Sequence, residues 1–278
     1  MFAYAVAAPP GAAFRPRGAA INDGQVFVAD SDGARLAVLD IDEGAQAGLV
    51  FIPVAAGRSE EAPSQPTSVV FALDQTLLVA DPANGRIRRL THEGTFLGDF
   101  LSERERARSN LVRPVGLALF QNELYVTDVQ DQTIKVYTTS GRFLRVLGGE
   151  GFLPGRFAFP NAVAVALDGR RLYVADSNNQ RVQVTDTRGV PLAVITAGHP
   201  PAGLKLPRGV AVDQLGRLHV VDTFGQSVHV YDAANRPVLT YGASGGQERL
   251  NLPEGIAISE DTIVVSDGGN RRLVVYRY

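Results

Sequence analysis

Catalytic chemistry in this chain would have to come from a short roster, because 278 residues include four histidines (His92, His199, His219 and His229) and no cysteine. Thiol nucleophiles, disulfides, zinc thiolates and iron–sulfur clusters are excluded at once. A zinc site would need several imidazoles converging on one point. His219 and His229 lie on successive strand-like segments and read as near neighbours, partly exposed, with no third histidine beside them. A second candidate is a recurring aspartate: Asp30, Asp81, Asp128, Asp176, Asp222 and Asp267 stand 45–51 residues apart. Five residues later come Arg35, Arg86, Arg181 and Arg272 in four of the copies, with Thr133 and Ser227 in the other two. A charge pair repeated throughout a chain argues for structure, since a ligand seldom needs so many equivalent sites. Each Asp can end a strand and accept backbone N–H groups of the next turn, with the Arg bonded to it or to a nearby carbonyl. On that reading the Thr133 and Ser227 turns should be less rigidly held.

The aspartates belong to a longer repeat that must position everything else. Copies begin at Pro16, Pro66, Pro114, Pro160, Pro207 and Pro253, for example PNAVAVALDGRRLYVAD from Pro160 and PRGVAVDQLGRLHVVD from Pro207. A period in the forties of strand-like sequence is the mark of propeller blades. Alternation and turn residues in the fourth copy give four strands: A at Ala162–Ala166, B at Leu172–Ala175, C at Val182–Thr185 and D near Leu192–Ile195. The expected fold is all-β: a six-bladed β-propeller of four-stranded antiparallel blades, with residues 1–278 as one domain. Five of the six copies carry alanine four residues after the proline, at Ala20, Ala118, Ala164, Ala211 and Ala257, against Val70. Small side chains there suit crowded strands next to the propeller axis. The sixth copy stops at Tyr278 after its third strand, while Phe2–Ala7 is strand-compatible. The N-terminal segment should therefore complete the C-terminal blade and remove two sheet edges.

Pro-x-Gly, an apolar strand, Val-Ala-Asp and Asn-x-Arg together resemble the NHL repeat family, best in YVADSNNQRVQV from Tyr173 and VVSDGGNRRLVV from Val264. GGEGFLPGRFAFP, ahead of the fourth copy, is similar to that family's glycine-rich linker. The resemblance implies the propeller and leaves activity open, since function resides in sites rather than folds. Recognition should lie where the copies differ. The residue after each repeat proline points toward the channel mouth, and the set is Arg17, Thr67, Val115, Asn161, Arg208 and Glu254. Six-bladed lactonases, similar in architecture, hold calcium at this mouth with several oxygen ligands. Here only Asn161 and Glu254 qualify, and Arg17 and Arg208 would repel the ion. RNA, bound by some NHL propellers, would call for a broad basic face with stacking aromatics. Net charge is −2, the arginines of SERERARSN alternate with Glu103 and Glu105 as in a solvated or short helical segment, and Phe224 is the clear aromatic at a B-to-C turn tip.

These readings leave a non-catalytic binding or scaffolding propeller as the main expectation, with a protein partner or small ligand on the linker face. The variable linkers GRSEEAPSQ, SERERARSN, GEGFLPGRF, AGHPPAGLK and ASGGQERLN lie there. The alternative is a calcium-dependent hydrolase or lactonase-like enzyme with its site at the channel mouth. No cofactor motif is present and no apolar run reaches about 18 residues, so membrane insertion by this segment is not expected. An isolated monomer, cut from an extracytoplasmic part of a larger bacterial protein, completes the expectation.

Overall fold

The computed structural model describes residues 2–53, 65–198, 202–243 and 248–277. The β-branched and alternating segments form six four-stranded antiparallel sheets, five of them consecutive in sequence. The fourth blade runs Pro160–Val165, Arg171–Asp176, Arg181–Asp186 and Pro191–Ile195, within about a residue or two of the sequence reading. The sixth sheet is composite: Phe2–Ala7 pairs antiparallel with Arg272–Arg277, from Phe2 opposite Arg277 to Ala7 opposite Arg272. Both chain ends thus close the ring, and Tyr4 and Val6 are buried in the seam.

Packing between blades follows a small-against-large rule. Along strand A, successive side chains face opposite neighbours. The residue three after the repeat proline faces the preceding blade, and the residue four after it faces the following one. Thus Ala164 packs in one cluster with Val210, Ala20 with Val69, Ala118 with Val163 and Ala211 with Ile256. These four alanines are small because each meets the larger residue of the next strand A, at the density of a protein interior; Ala257 faces the first blade, where the matching residue is Ala19. Glycines two residues after the proline mark an even closer approach. A Cβ on Gly255 would stand 2.2 Å from the Arg17 carbonyl oxygen, and one on Gly116 would stand 2.6 Å from that of Asn161.

The repeat aspartates are almost wholly buried and tie two chain segments together. Asp128 accepts the backbone N–H groups of Val112, Arg113 and Gln130 at 2.9–3.0 Å. Asp30 and Asp222 likewise bind both the segment ahead of the repeat proline and the following turn. Arg35, Arg181 and Arg272 reach Asp30, Asp176 and Asp267 at 2.7–2.9 Å. Two expectations need correction. Arg86 turns to Asp99 and Glu103, and Arg88 takes Asp81 at 3.3 Å. The turn with Thr133 is not left unsupported, because Lys135 contacts Asp128 at 3.1 Å, while at the Ser227 turn His229 stands 3.9 Å from Asp222, beyond hydrogen-bond reach. The physical reason is strand alternation: the fifth and seventh residues after the aspartate share one face of strand C, so a side chain at either can approach it.

Candidate functional site at the channel mouth

In five of the six blades the pairing of strands A and B slips directly after the repeat proline. A bulge re-aims the side chain it carries, and this one turns the following residue off the ladder and onto the channel mouth. Arg17, Thr67, Val115, Asn161, Arg208 and Glu254 all line one cavity there, of ≈ 100 Å³, with the glycines and apolar residues of strand A beneath them. The volume suits several waters or one small molecule.

Glu254 organises the ring. Its side chain is buried and shared by three guanidiniums: Arg208 Nη1 donates to Oε2 at 2.9 Å, Arg15 Nη2 to Oε1 at 3.0 Å, and Arg17 Nη1 to Oε2. Arg17 also donates from Nε to Ser31 Oγ at 3.3 Å. Burial holds its guanidinium below its ordinary pKa; Glu254 opposes this, while Arg15 and Arg208 add to it. Arg208 Nε is buried with no hydrogen-bond partner among the described residues. Asn161 donates its amide to Ser177 Oγ at 2.6 Å and to the Phe159 carbonyl at 3.3 Å. Thr67 Oγ1 donates to the Val115 carbonyl at 2.9 Å.

The ring's two arginines against one carboxylate, with Arg15 and Asp32 close by, leave an excess of one positive charge at the mouth. A calcium ion asks for six to eight oxygen ligands with negative charge among them; here the single ring carboxylate is already occupied by cations. No group of three or more His, Asp or Glu able to hold a metal occurs among the described residues. The mouth does not fit a hard dication. Arg15 was missed in the sequence because it precedes the repeat proline, outside the ring positions.

The other candidates disperse. His219 and His229 are buried, not partly exposed, and lie on opposite faces of the fifth blade, since His229 stands opposite Val220 while His219 stands opposite Val230. His219 meets Asp213 at 3.1 Å and Tyr241 at 3.2 Å; His229 meets Thr240 at 2.8 Å and Ser227 at 3.3 Å. His92 packs between Phe27 and Phe71 at the other end of the sheets, and His199 lies outside the described residues. Phe224 is exposed, and so are Phe152 and Leu153 of the glycine-rich linker. SERERARSN forms the helix Glu103–Ser109, N-capped by Ser102, with Arg106 paired to Glu103. Most of GRSEEAPSQ and parts of AGHPPAGLK and ASGGQERLN fall outside the described residues.

Comparison with known proteins widens the reading. The fold is similar to a gluconolactonase from Xanthomonas campestris, with a TM-score of 0.71 at 16% identity over 95% of this chain and 86% of that one. It is similar to a virginiamycin B lyase from Staphylococcus aureus, crystallised with quinupristin, with a TM-score of 0.63 at 14% identity over 100% of this chain and 88% of the other. It also matches a chain of a nidogen/laminin complex, with a TM-score of 0.67 at 19% identity over 88% and 85%. These likenesses concern the fold, and they place enzymes and a binding propeller side by side. A search of curated proteins finds no match. The NHL resemblance survives as architecture, but a family model described as the SMP-30/Gluconolactonase/LRE-like region matches residues 16–243, from the first repeat proline to the end of the fifth blade. A sequence match over most of the chain, on a fold of the same six blades, makes it a member of the SMP-30/gluconolactonase/LRE-like family.

Proposed function

We propose that this chain handles a small molecule at the mouth of its central channel, and that guanidinium groups rather than a divalent cation recognise it. Glu254 carries the reading: the one carboxylate of the ring is buried under Arg15, Arg17 and Arg208, so the site presents hydrogen-bond donors and positive charge. Membership of a family named for gluconolactonase, with folds like those of a gluconolactonase and a lyase, supports a small-molecule site over a purely protein-binding platform. The same findings favour the second reading, a lactonase-like hydrolase, more than they favour a non-catalytic scaffold. The charge at the mouth is what separates the two.

One assay divides them. Purified protein is offered gluconolactone and simple aryl esters with added calcium and, separately, with chelator, and its melting temperature is followed in both. The expected result is no chelator-sensitive turnover and an unchanged melting temperature, since an ion that binds only the folded state must stabilise it. Turnover abolished by chelator would replace the proposal with the second reading.

A further inference from the structure

We propose that the ligand of the channel mouth is a small carboxylate, bound across Arg17 and Arg208, and that Glu254 is its built-in competitor. The inference rests on the small-molecule reading above and names the chemistry of its ligand. An ion pair satisfied within itself would leave no call for an external anion, but this ring is over-supplied with donors. A guanidinium has five N–H donors in a fixed fork matched to two oxygens of one carboxylate. Arg208 spends one nitrogen on Glu254 and keeps its Nε buried and unpartnered, a state that costs free energy until an acceptor arrives. Arg17 and Arg208 converge on the same oxygen, Glu254 Oε2, while Arg15 takes the other. Arg15, Arg17 and Arg208 exceed the carboxylates Glu254 and Asp32 by one, in a site partly removed from solvent, where screening is weak. Thr67 and Asn161 supply polar edges for hydroxyl groups on such a ligand, and the ≈ 100 Å³ cavity admits a compact acid while leaving no room for a peptide.

The test is calorimetric titration of the full chain with gluconate, with inorganic phosphate as a second anion and with glucose as a neutral compound. Four proteins are compared: wild type, Glu254→Gln, Arg208→Gln and Val115→Trp, the last filling the mouth without changing its charge. Gluconate is expected to bind wild type and to bind Glu254→Gln about tenfold or more tightly, because the internal competitor is gone while its three guanidiniums remain. It should lose about tenfold or more on Arg208→Gln and be excluded by Val115→Trp. Rising salt should weaken it, and phosphate, which lacks the hydroxyl-bearing chain that would reach Thr67 and Asn161, should bind less well than gluconate. Melting curves of each variant report folding; if Glu254→Gln does not fold, the wild type and Arg208→Gln pair decides alone. Gluconate affinity equal in wild type and Arg208→Gln, or phosphate preferred to gluconate, overturns the carboxylate assignment. Glucose bound as well as gluconate, and excluded by Val115→Trp, overturns the assignment while leaving a small-molecule site in place. Binding that ignores Val115→Trp for every compound overturns both.

Discussion

Replacing Lys135 with methionine tests the idea that strand alternation, rather than one fixed position, supplies the partner of each repeat aspartate. Lys135 is fully buried, lies 3.1 Å from the fully buried Asp128 and pairs also with the partly exposed Asp131. Methionine keeps most of the volume, so the loss is chiefly electrostatic. Removing one partner of a buried ion pair costs about 3–5 kcal/mol. Three backbone N–H groups stay on Asp128 and place the expected loss near the lower end, about 3 kcal/mol. For a protein of this size that corresponds to a fall in melting temperature of roughly 6 °C, at about 2 °C per kcal/mol. Denaturant unfolding followed by circular dichroism measures it directly. The fourth blade supplies the rescue: there Arg181 and Gln183 both donate to Asp176 Oδ2, at 2.7 and 2.9 Å. The pair Thr133→Arg with Lys135→Gln should therefore recover at least about half of what Lys135→Gln alone loses. A loss below about 1 kcal/mol for Lys135→Met, little more than an ordinary surface change, or no recovery in the double variant, would refute the reasoning.

Gly255→Ala should destabilise the seam between the sixth and first blades by about 1–3 kcal/mol, because its Cβ meets backbone, which can yield only by shifting. Gly203→Ala, whose Cβ would find its nearest atom at 4.0 Å, should change little, and equal losses in the two melting curves would count against close strand contact as the reason for the glycine. Burial holds the His219 imidazole below its ordinary pKa, with Arg217 adding to this and Asp213 opposing it. The folded protein therefore binds fewer protons here than the unfolded chain, and stability should be level above pH of about 6.5 and fall below it, by at most about 1.4 kcal/mol per pH unit. Urea midpoints between pH 7.5 and 5.5 should decline less in His219→Gln than in wild type; parallel profiles would contradict this.

The fold was legible because its devices are local and repeated. Pro16 and four of its five counterparts start strand A, with Pro66 two residues ahead of its strand; the glycine or other small residue two places on permits blade contact, and the aspartate ends strand B. Closure was legible too, from the missing fourth strand after Leu273–Tyr276. The neighbours of the aspartates were only half legible. A rule of five residues finds Arg35, Arg181 and Arg272 but passes over Arg88, Lys135 and His229, which occupy the same face one alternation later. The mouth residues were legible as a set, whereas their arrangement was not. Arg15 reaches Glu254 across 239 residues of sequence, and the corresponding positions Gln65, Arg113, Phe159, Leu206 and Leu252 share no chemistry that would single it out. Whether His219 and His229 face each other turned on a register offset of one residue, which reverses the face of every side chain in a strand.

The slip after each repeat proline has a consequence for how such a protein changes over time. A side chain released from the ladder there contributes neither to strand pairing nor to the small-against-large contacts between blades. Substitution at such a place alters the lining of the mouth and leaves the strand ladder as it was, although Thr67, Arg17, Arg208 and Glu254 also bond across blades. Five of the six slips are present here, and the ring runs from valine and threonine to arginine and glutamate. The architecture behaves like a lock in which Val115, Thr67 and Asn161 are separately set pins while Arg17, Arg208 and Glu254 turn together, so the charged part of the ligand chemistry can be rewritten only in concert.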